Sequence, residues 1–384
     1  MAAANQTLWL TFAPITTDAA AEYGVSVGDI GWLAQIFPLL YVVLALPAGF
    51  ALDRWFRPSL AVGAGLTAVG AMVRLIGSDY LMVLIGQIII AIAQPLIINA
   101  VTRISIDYAR ERDRPAAIGV GSAGMFAGMV IALLLGTAFG GSGLRDLLII
   151  QAVFAVLAAA ALLVGLAQRG RHTPAMADGE QAQTHRLRSV WADPLIRTLT
   201  GIVAIGFGAF IALTTWLQAL LEPAGIDATE AGILLLAFVI AGIVGSMTMP
   251  PLIARWGRQQ RWLLIAIAVS GAGTLVLAFS PGYVASLVIC AVIGFFLLTS
   301  LPIILEMAER RAGPASGTAT ALLWLSGNAA GLFIALLVQQ LLDLPAWAFV
   351  LIAVVMVIGL PLVQGLPRAT QRSQQPESVG RIDS

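Results

Sequence analysis

Apolar runs long enough to cross a bilayer follow one another almost without pause from the first residue to about position 366. A membrane-spanning helix needs about 20 apolar residues. Read that way, the chain holds twelve candidate spans, at roughly 1–17, 28–52, 58–77, 80–106, 115–139, 145–168, 194–221, 228–253, 261–280, 282–307, 314–341 and 344–366. The predicted class is an all-α integral membrane protein. Of 384 residues, 59% are hydrophobic and 11% charged, where soluble domains carry about 25% charged residues. That much apolar surface cannot be hidden from water, so lipid is the solvent. The first run is short and begins without a charged leader, as though span one started further upstream. It also lacks the basic segment of a cleavable signal peptide.

One charged turn organises the remainder. In LALPAGFALDRWFRP, Leu44 to Pro58, an apolar helix runs into Gly49, then Asp53, Arg54 and Arg57 arrive together, and apolar sequence resumes at Leu60. Two spans joined so tightly form a hairpin. The pattern returns as PPLIARWGRQQRW, Pro250 to Trp262, where Arg255-Trp256 repeats Arg54-Trp55 and Arg258 stands near the place of Arg57. One hairpin in each half implies a duplicated fold; the plainer account is that Arg clusters in any cytoplasmic loop. Between the halves lies a polar stretch with Arg169, Arg171, Arg186 and Arg188. The expected organisation is an N-terminal six-helix bundle over 1–168, a cytoplasmic linker over 169–193, a C-terminal six-helix bundle over 194–366, and a disordered cytoplasmic tail over 367–384.

Arginine placement predicts the orientation. Arg54 and Arg57 follow span two; Arg110, Arg112 and Arg114 follow span four; Arg255, Arg258 and Arg261 follow span eight; Arg310 and Arg311 follow span ten. The alternate loops carry Asp18, Glu22 and Asp29, then Asp79, then Glu222, Asp227 and Glu230, then Asp343. Both termini are therefore expected in the cytoplasm of a cell whose inner (plasma) membrane holds the chain. The chain has no Lys, a compositional hint of a GC-rich bacterial genome.

Several functions are set aside on composition. A net charge of +1 gives nucleic acid nothing to bind. Cys290 is the sole cysteine, so no intrachain disulfide and no thiol-built metal site is expected, and His172 and His185 both fall in the polar linker. A hydrolase is disfavoured because there is no HExxH and no intramembrane His. No GxxxxGK[ST] loop is present, which removes ATP as the energy source. No cofactor is expected.

Twelve spans in two related halves with a long middle loop resemble the major facilitator superfamily, and Gly49…Asp53-Arg54…Arg57 resembles its loop signature, approximately G-x-x-x-D-R-x-G-R-R. Phe56 stands where Gly is usual, Pro58 replaces the last basic residue, and the second copy has Ala254 in place of the acid. The resemblance implies twelve transmembrane helices in two pseudo-symmetric six-helix bundles, the major facilitator fold. A narrower resemblance rests on dispersed residues. These are Asn5 to Trp9, Tyr23-Gly24-Val25, Trp32-Leu33, Gly86-Gln87…Ala93-Gln94, Arg103-Ile104, and Leu301-Pro302…Glu306…Pro314…Gly317-Thr318…Leu322-Leu323…Ser326. Together they are similar to the feline leukaemia virus subgroup C receptor family, whose animal members transport choline and ethanolamine, with haem also proposed. That family holds a quaternary ammonium in an aromatic cage. Its span-one Trp falls on Trp9 and its span-four Gln on Gln94, but its span-seven Tyr falls on Ile211, so half the cage lacks its ring.

The candidate substrate-binding residues are Trp9, Gln94, Asn99, Thr214 and Gln218. The Trp9 ring face can hold a cation; packing or interfacial anchoring is the plainer role. Gln94 and Asn99 are amides in hydrocarbon, where cross-helix hydrogen bonding is the ordinary use. Thr214 and Gln218 lie one turn apart and share a face that could line a cavity opposite Trp9; Thr hydroxyls also satisfy their own backbone. Glu306, an acid in an apolar span, reads either as the coupling or proton-carrying group or as the i,i+4 partner of Arg310. Arg103 pairs with Asp107 or snorkels, and Arg74 snorkels or pairs with Asp79. Asp53, Arg54, Arg57, Arg255 and Arg258 are candidate gating groups, with Asp53 able to cap a helix of the opposite half. Small residues in span five, GVGSAGMFAGMVIALLLG from Gly119, and span eleven, SGTATALLWLSGNAAG from Ser316, are candidates for a rocking seam or for ordinary close packing.

The functional expectation is a secondary active or facilitative transporter of a small organic solute, a cationic amine among the candidates, working as a monomer by alternating access, with the bilayer and a coupling proton as its other partners. A broad-specificity drug or metabolite efflux pump and an organic-anion transporter of the same superfamily are the alternatives.

Overall fold

The first span is not one helix. In the computed structural model, α1 (Ala2–Trp9) ends where the chain loosens into i→i+3 turns, and α2 (Thr16–Tyr23) takes over beyond them. Pro14 explains the break, since it has no N–H to continue the ladder, and the Thr11 and Thr16 hydroxyls compete for nearby carbonyls. The structure describes residues 1–77, 79–101, 114–139, 143–167, 187–312 and 315–366. Arg103, Asp107, Arg110, Arg112, the linker to residue 186 and the tail lie outside the described residues. So do the side chains of Phe50, Asp53, residues 114–122, Pro251, Ala254, Arg255, Glu309, Ser316 and Gly317.

The rest of the first half comprises α3 (Val27–Arg54), α4 (Phe56–Val73), α5 (Tyr80–Ile98), α6 (Arg114–Phe139) and α7 (Leu144–Ala167). The second comprises α8 (Pro194–Leu221), α9 (Ala228–Trp256), α10 (Gln259–Leu277), α11 (Tyr283–Ala312), α12 (Ser316–Gln339) and α13 (Pro345–Gln364). Among the described residues ten helices are long and apolar enough to cross a membrane, with Ala123–Phe139 of α6 a shorter apolar helix. Local sequence starts these helices in recognisable ways. Ser26 and Asp29 close a capping box on α3, Asp79 accepts from the Met82 N–H at 2.9 Å, and Asp193 accepts from the Leu195 N–H at 2.8 Å with Pro194 next in line.

The same helix pairings recur in both halves. The broken first span packs on α6 as α8 packs on α12; α3 packs on α5 as α9 on α11; α4 packs on α7 as α10 on α13. This is the pattern of two pseudo-symmetric bundles. They touch through α6 with α9 and α3 with α12, and through α2 and α3 with α8. The glycines expected at the seam face inward instead: Gly128 sits against the backbone of Ala3, and Gly327 and Gly331 against Phe207 and Ile211 of α8. The small residues bring helices together within each bundle, while other faces of α6 and α12 meet the opposite half.

The described polar contacts between the halves lie at the helix ends carrying the acidic loops. Gln218 Nε2 donates to Thr17 Oγ1 at 2.7 Å and its Oε1 accepts from the Thr17 N–H at 3.0 Å; Gln35 Nε2 donates to Gln339 Oε1 at 3.3 Å. Beside them the Trp216 ring, its Nε1 donating to Ala335 O at 2.9 Å, lies flush on Gly31 of α3. Any Cβ at Gly31 would overlap that ring, so only glycine lets the bundles meet there.

Arg74 departs from expectation. It neither snorkels nor pairs with Asp79. It is 2% exposed and donates to Thr11 Oγ1 at 3.1 Å, Gln87 Oε1 at 3.3 Å and Gln151 Oε1 at 3.0 Å. Gln87 Nε2 in turn donates to Leu8 O and Leu33 O. This network ties α3, α4, α5 and α7 to the break in the first span.

Candidate functional site

A cavity lies between the bundles, with an empty volume of about 1050 Å³ counting space continuous with solvent. Gln6 and Trp9 of α1, Tyr41 of α3, Gln94 of α5 and Phe126 of α6 form one wall; Phe207 and Phe210 of α8, Ser300 and Ile304 of α11, and Trp324 and Asn328 of α12 face them. On α5, α8, α11 and α12 these residues sit in the middle or in the half nearer the arginine-rich turns. The cavity therefore lies on the side of the seam away from the acidic loops. No Asp, Glu, Lys, Arg or His is among its described lining residues.

Trp9 is 5% exposed, its Nε1 donates to Ala34 O at 3.1 Å, and its ring lines the cavity with the Phe37 ring 6.4 Å away. Across the cavity, Phe207 stacks on Phe210 with centroids 5.5 Å apart and meets Trp324 edge-on at 5.2 Å. Gln94 makes no hydrogen bond among the described residues, whereas Asn328 Nδ2 donates to Trp324 O at 2.9 Å and Ser300 Oγ to Phe296 O at 3.0 Å. Such a chamber offers π faces and neutral hydrogen-bonding groups but no formal charge.

The other candidates lie elsewhere. Asn99 accepts from the Tyr41 hydroxyl at 2.8 Å and is not in the lining, so it positions Tyr41 and does not face the cavity. Thr214 is spent on its own helix, donating to Phe210 O at 2.8 Å, and Gln218 clasps Thr17 in the seam. The expectation that this pair lines the cavity opposite Trp9 is not met; their shared face turns to the seam. Ile211 packs on Gly331, and the span-seven rings come from Phe207 and Phe210 instead.

Glu306 pairs with Arg310 at 2.5 Å, the two side chains 35% and 71% exposed, and it does not line the cavity. The geometry is that of the i,i+4 pair and not of a buried proton carrier. Such pairs contribute about 0.3–0.5 kcal/mol. Glu306→Gln is accordingly expected to leave solute accumulation in proteoliposomes unchanged, with and without an imposed pH gradient. Of the gating candidates, Arg54 is exposed with its guanidinium 5.1 Å over the Trp55 ring, Arg57 is part-buried, and Arg258 is exposed at the start of α10. Trp55 and its repeat Trp256 are 57% and 64% exposed, as suits interfacial anchors. At the same end Arg311 Nε donates to Asp193 Oδ2 at 2.7 Å. Partial burial pushes the Asp193 carboxyl up, but Arg311 and the Leu195 N–H outweigh it and hold it below the usual carboxylate range.

The sequence profile described as Major Facilitator Superfamily matches residues 1–336 and 220–380. The chain belongs to the Major Facilitator Superfamily. As a member it is a multi-pass transmembrane transporter and not an enzyme. Solute carrier family 49 member A3 of Danio rerio is 26% identical over 361 residues, covering 88% of this chain and 75% of its own. The choline/ethanolamine transporters FLVCR1 of Felis catus and FLVCR2 of Homo sapiens are each 25% identical, covering 83% and 88% of this chain and 62% and 69% of theirs. The fold matches, at TM-score 0.66 and 14% identity, the crystal structure of a bacterial homolog of the human lysosomal transporter Spinster, in an inward-facing and unoccupied conformation. That match covers 94% of this chain and 92% of the other.

Within this facilitator, sequence reasoning passed over Gln6, Tyr41, Phe126, Phe207, Phe210, Trp324 and Asn328. Gln6 was detectable as a second amide three residues before Trp9; the aromatics carry no mark that separates a cavity wall from a lipid face.

Proposed function

We propose that the chain carries a small, compact amine across a plasma membrane by alternating access, with both termini cytoplasmic and the cavity exposed to that side in this state. The observation that carries this reading is a wall without ionised groups among its described residues, in which Trp9 stands across from Phe207, Phe210 and Trp324 and the remaining polarity is amide and hydroxyl. Aromatic faces hold a cation for about 0.5–2 kcal/mol without the desolvation a buried carboxylate would incur. The relatives named as choline/ethanolamine transporters support the same solute class. Rocking of the bundles would open the Gly31–Trp216 seam and close the arginine-rich end.

Uptake into proteoliposomes tests the reading. A saturable flux of choline, ethanolamine or a comparable small amine is expected, uncompeted by hydrophobic dyes; broad, mutually competitive dye flux would establish an efflux pump instead. Trp9→Ala is expected to weaken amine affinity about 10-fold and Trp9→Phe far less, since phenylalanine keeps a π face.

A further inference from the structure

Three of the four polar side chains on α1 are committed to packing. Asn5 Nδ2 donates to Ile90 O at 3.4 Å, Thr7 Oγ1 to Gly128 O at 2.9 Å, and Trp9 Nε1 to Ala34 O at 3.1 Å. Asn5 Oδ1 also lacks a partner, but Asn5 is not in the cavity lining; what sets Gln6 apart is that it lines the cavity and bonds through neither end of its amide. It is 2% exposed, makes no hydrogen bond among the described residues, and its Oε1 is enclosed without a partner. Buried polar groups in folded proteins are overwhelmingly paired, and one that is not asks for a reason. Gln6 lies three residues before Trp9, hence on the same helix face, and both line the cavity.

We propose that Gln6 is a specificity-determining residue of the transport cavity, its carbonyl accepting a hydrogen bond from an N–H or O–H of the solute. The proposal rests on the amine reading above and narrows it to amines that keep at least one N–H or carry a hydroxyl. Among its described residues the wall has no ionised group, so an ammonium charge is met by the rings, which have no directional demand. Direction falls to the amides. The terminal torsion of Gln6 is soft, and turning it presents Oε1 to the cavity. The bond so formed is charge-assisted for an ammonium donor, and stronger than a neutral one. A fully alkylated ammonium without a hydroxyl leaves that carbonyl enclosed and unpaired.

Trimethylammonium and tetramethylammonium have the same charge and nearly the same size and differ by one N–H. Isothermal titration of the purified full chain is expected to show trimethylammonium binding about tenfold more tightly. Gln6→Met should erase that preference by weakening trimethylammonium alone, and Gln6→Glu, which keeps an acceptor, should retain it. If Gln6→Met is not recovered folded, Gln6→Ser, whose hydroxyl cannot reach the cavity, supplies the same comparison. Equal binding of the two probes by the unmodified chain, or a preference surviving loss of the amide, would overturn the role of Gln6 while leaving the amine reading intact. Binding of neither probe would overturn both.

Discussion

Gly31→Leu is expected to stop net transport while the protein remains folded. The side chain would project into the Trp216 ring at a place where α3 and α8 close the seam. Forcing extra methylenes into a packed contact costs about 1–3 kcal/mol or more. Here the strain exists only in the closed-seam state, so about 3 kcal/mol changes the ratio of states by roughly 100-fold. Initial rates in proteoliposomes should fall at least about tenfold, with Gly31→Ala intermediate. A cysteine placed at Ile304, in a Cys290→Ser background, should lose labelling by an impermeant thiol reagent from the arginine-rich side. Adding Trp216→Ala should restore both, because the two substitutions act on one contact. Unimpaired flux through Gly31→Leu would mean that this seam is not the gate.

Arg74→Leu is expected to have the largest effect on stability. The substitution removes a guanidinium that serves Thr11, Gln87 and Gln151 at once; Gln87 Oε1 is left without its donor, while Gln151 Oε1 keeps the Thr11 hydroxyl at 2.7 Å. An unpaired buried acceptor costs about 1–3 kcal/mol, and the lost charge-assisted bonds to the other two groups add to it, so a loss of about 3 kcal/mol is expected. Thermal unfolding in detergent should shift down by several degrees. Arg74→Lys should recover less than half, since an ammonium lacks the planar fork that reaches acceptors on α5, on α7 and in the break after α1 at once. Because the network fixes the break after α1, solute affinity should fall along with stability. An unchanged melting temperature would show that the carbonyls and amides find other partners.

The helices were legible because lipid imposes a simple demand: a run of apolar residues, a polar turn, and another run. The broken first span was less so. Pro14 announces an interruption, but whether it kinks a helix or splits one depends on Arg74 and Gln87, which arrive from other spans to bond the Thr11 hydroxyl and the Leu8 carbonyl. The cavity was half legible. Trp9 and Gln94 stand out as polar or amphipathic groups in mid-membrane. Thr214 and Gln218 show the same signal and share a face, yet Gln218 meets Thr17 in the seam, an outcome set by which elements of the other bundle come to pack there. Glu306 looked anomalous by composition, but its distance from the end of α11 is short enough for Arg310 to meet it outside the cavity. Phe207 and Phe210 were indistinguishable from lipid-facing residues, because phenylalanine suits hydrocarbon and a cation equally well.

The uncharged lining has a consequence for energetics. With no fixed charge in the chamber walls among the described residues, reorientation of the bundles would move no wall charge there, and within the chamber the electric field would act on the cargo proposed above. A monovalent cation crossing 100 mV gains about 2.3 kcal/mol, enough by itself to sustain roughly a 50-fold gradient. On the amine reading proposed above such a carrier would be electrogenic, and resting voltage would concentrate its solute on the negative side.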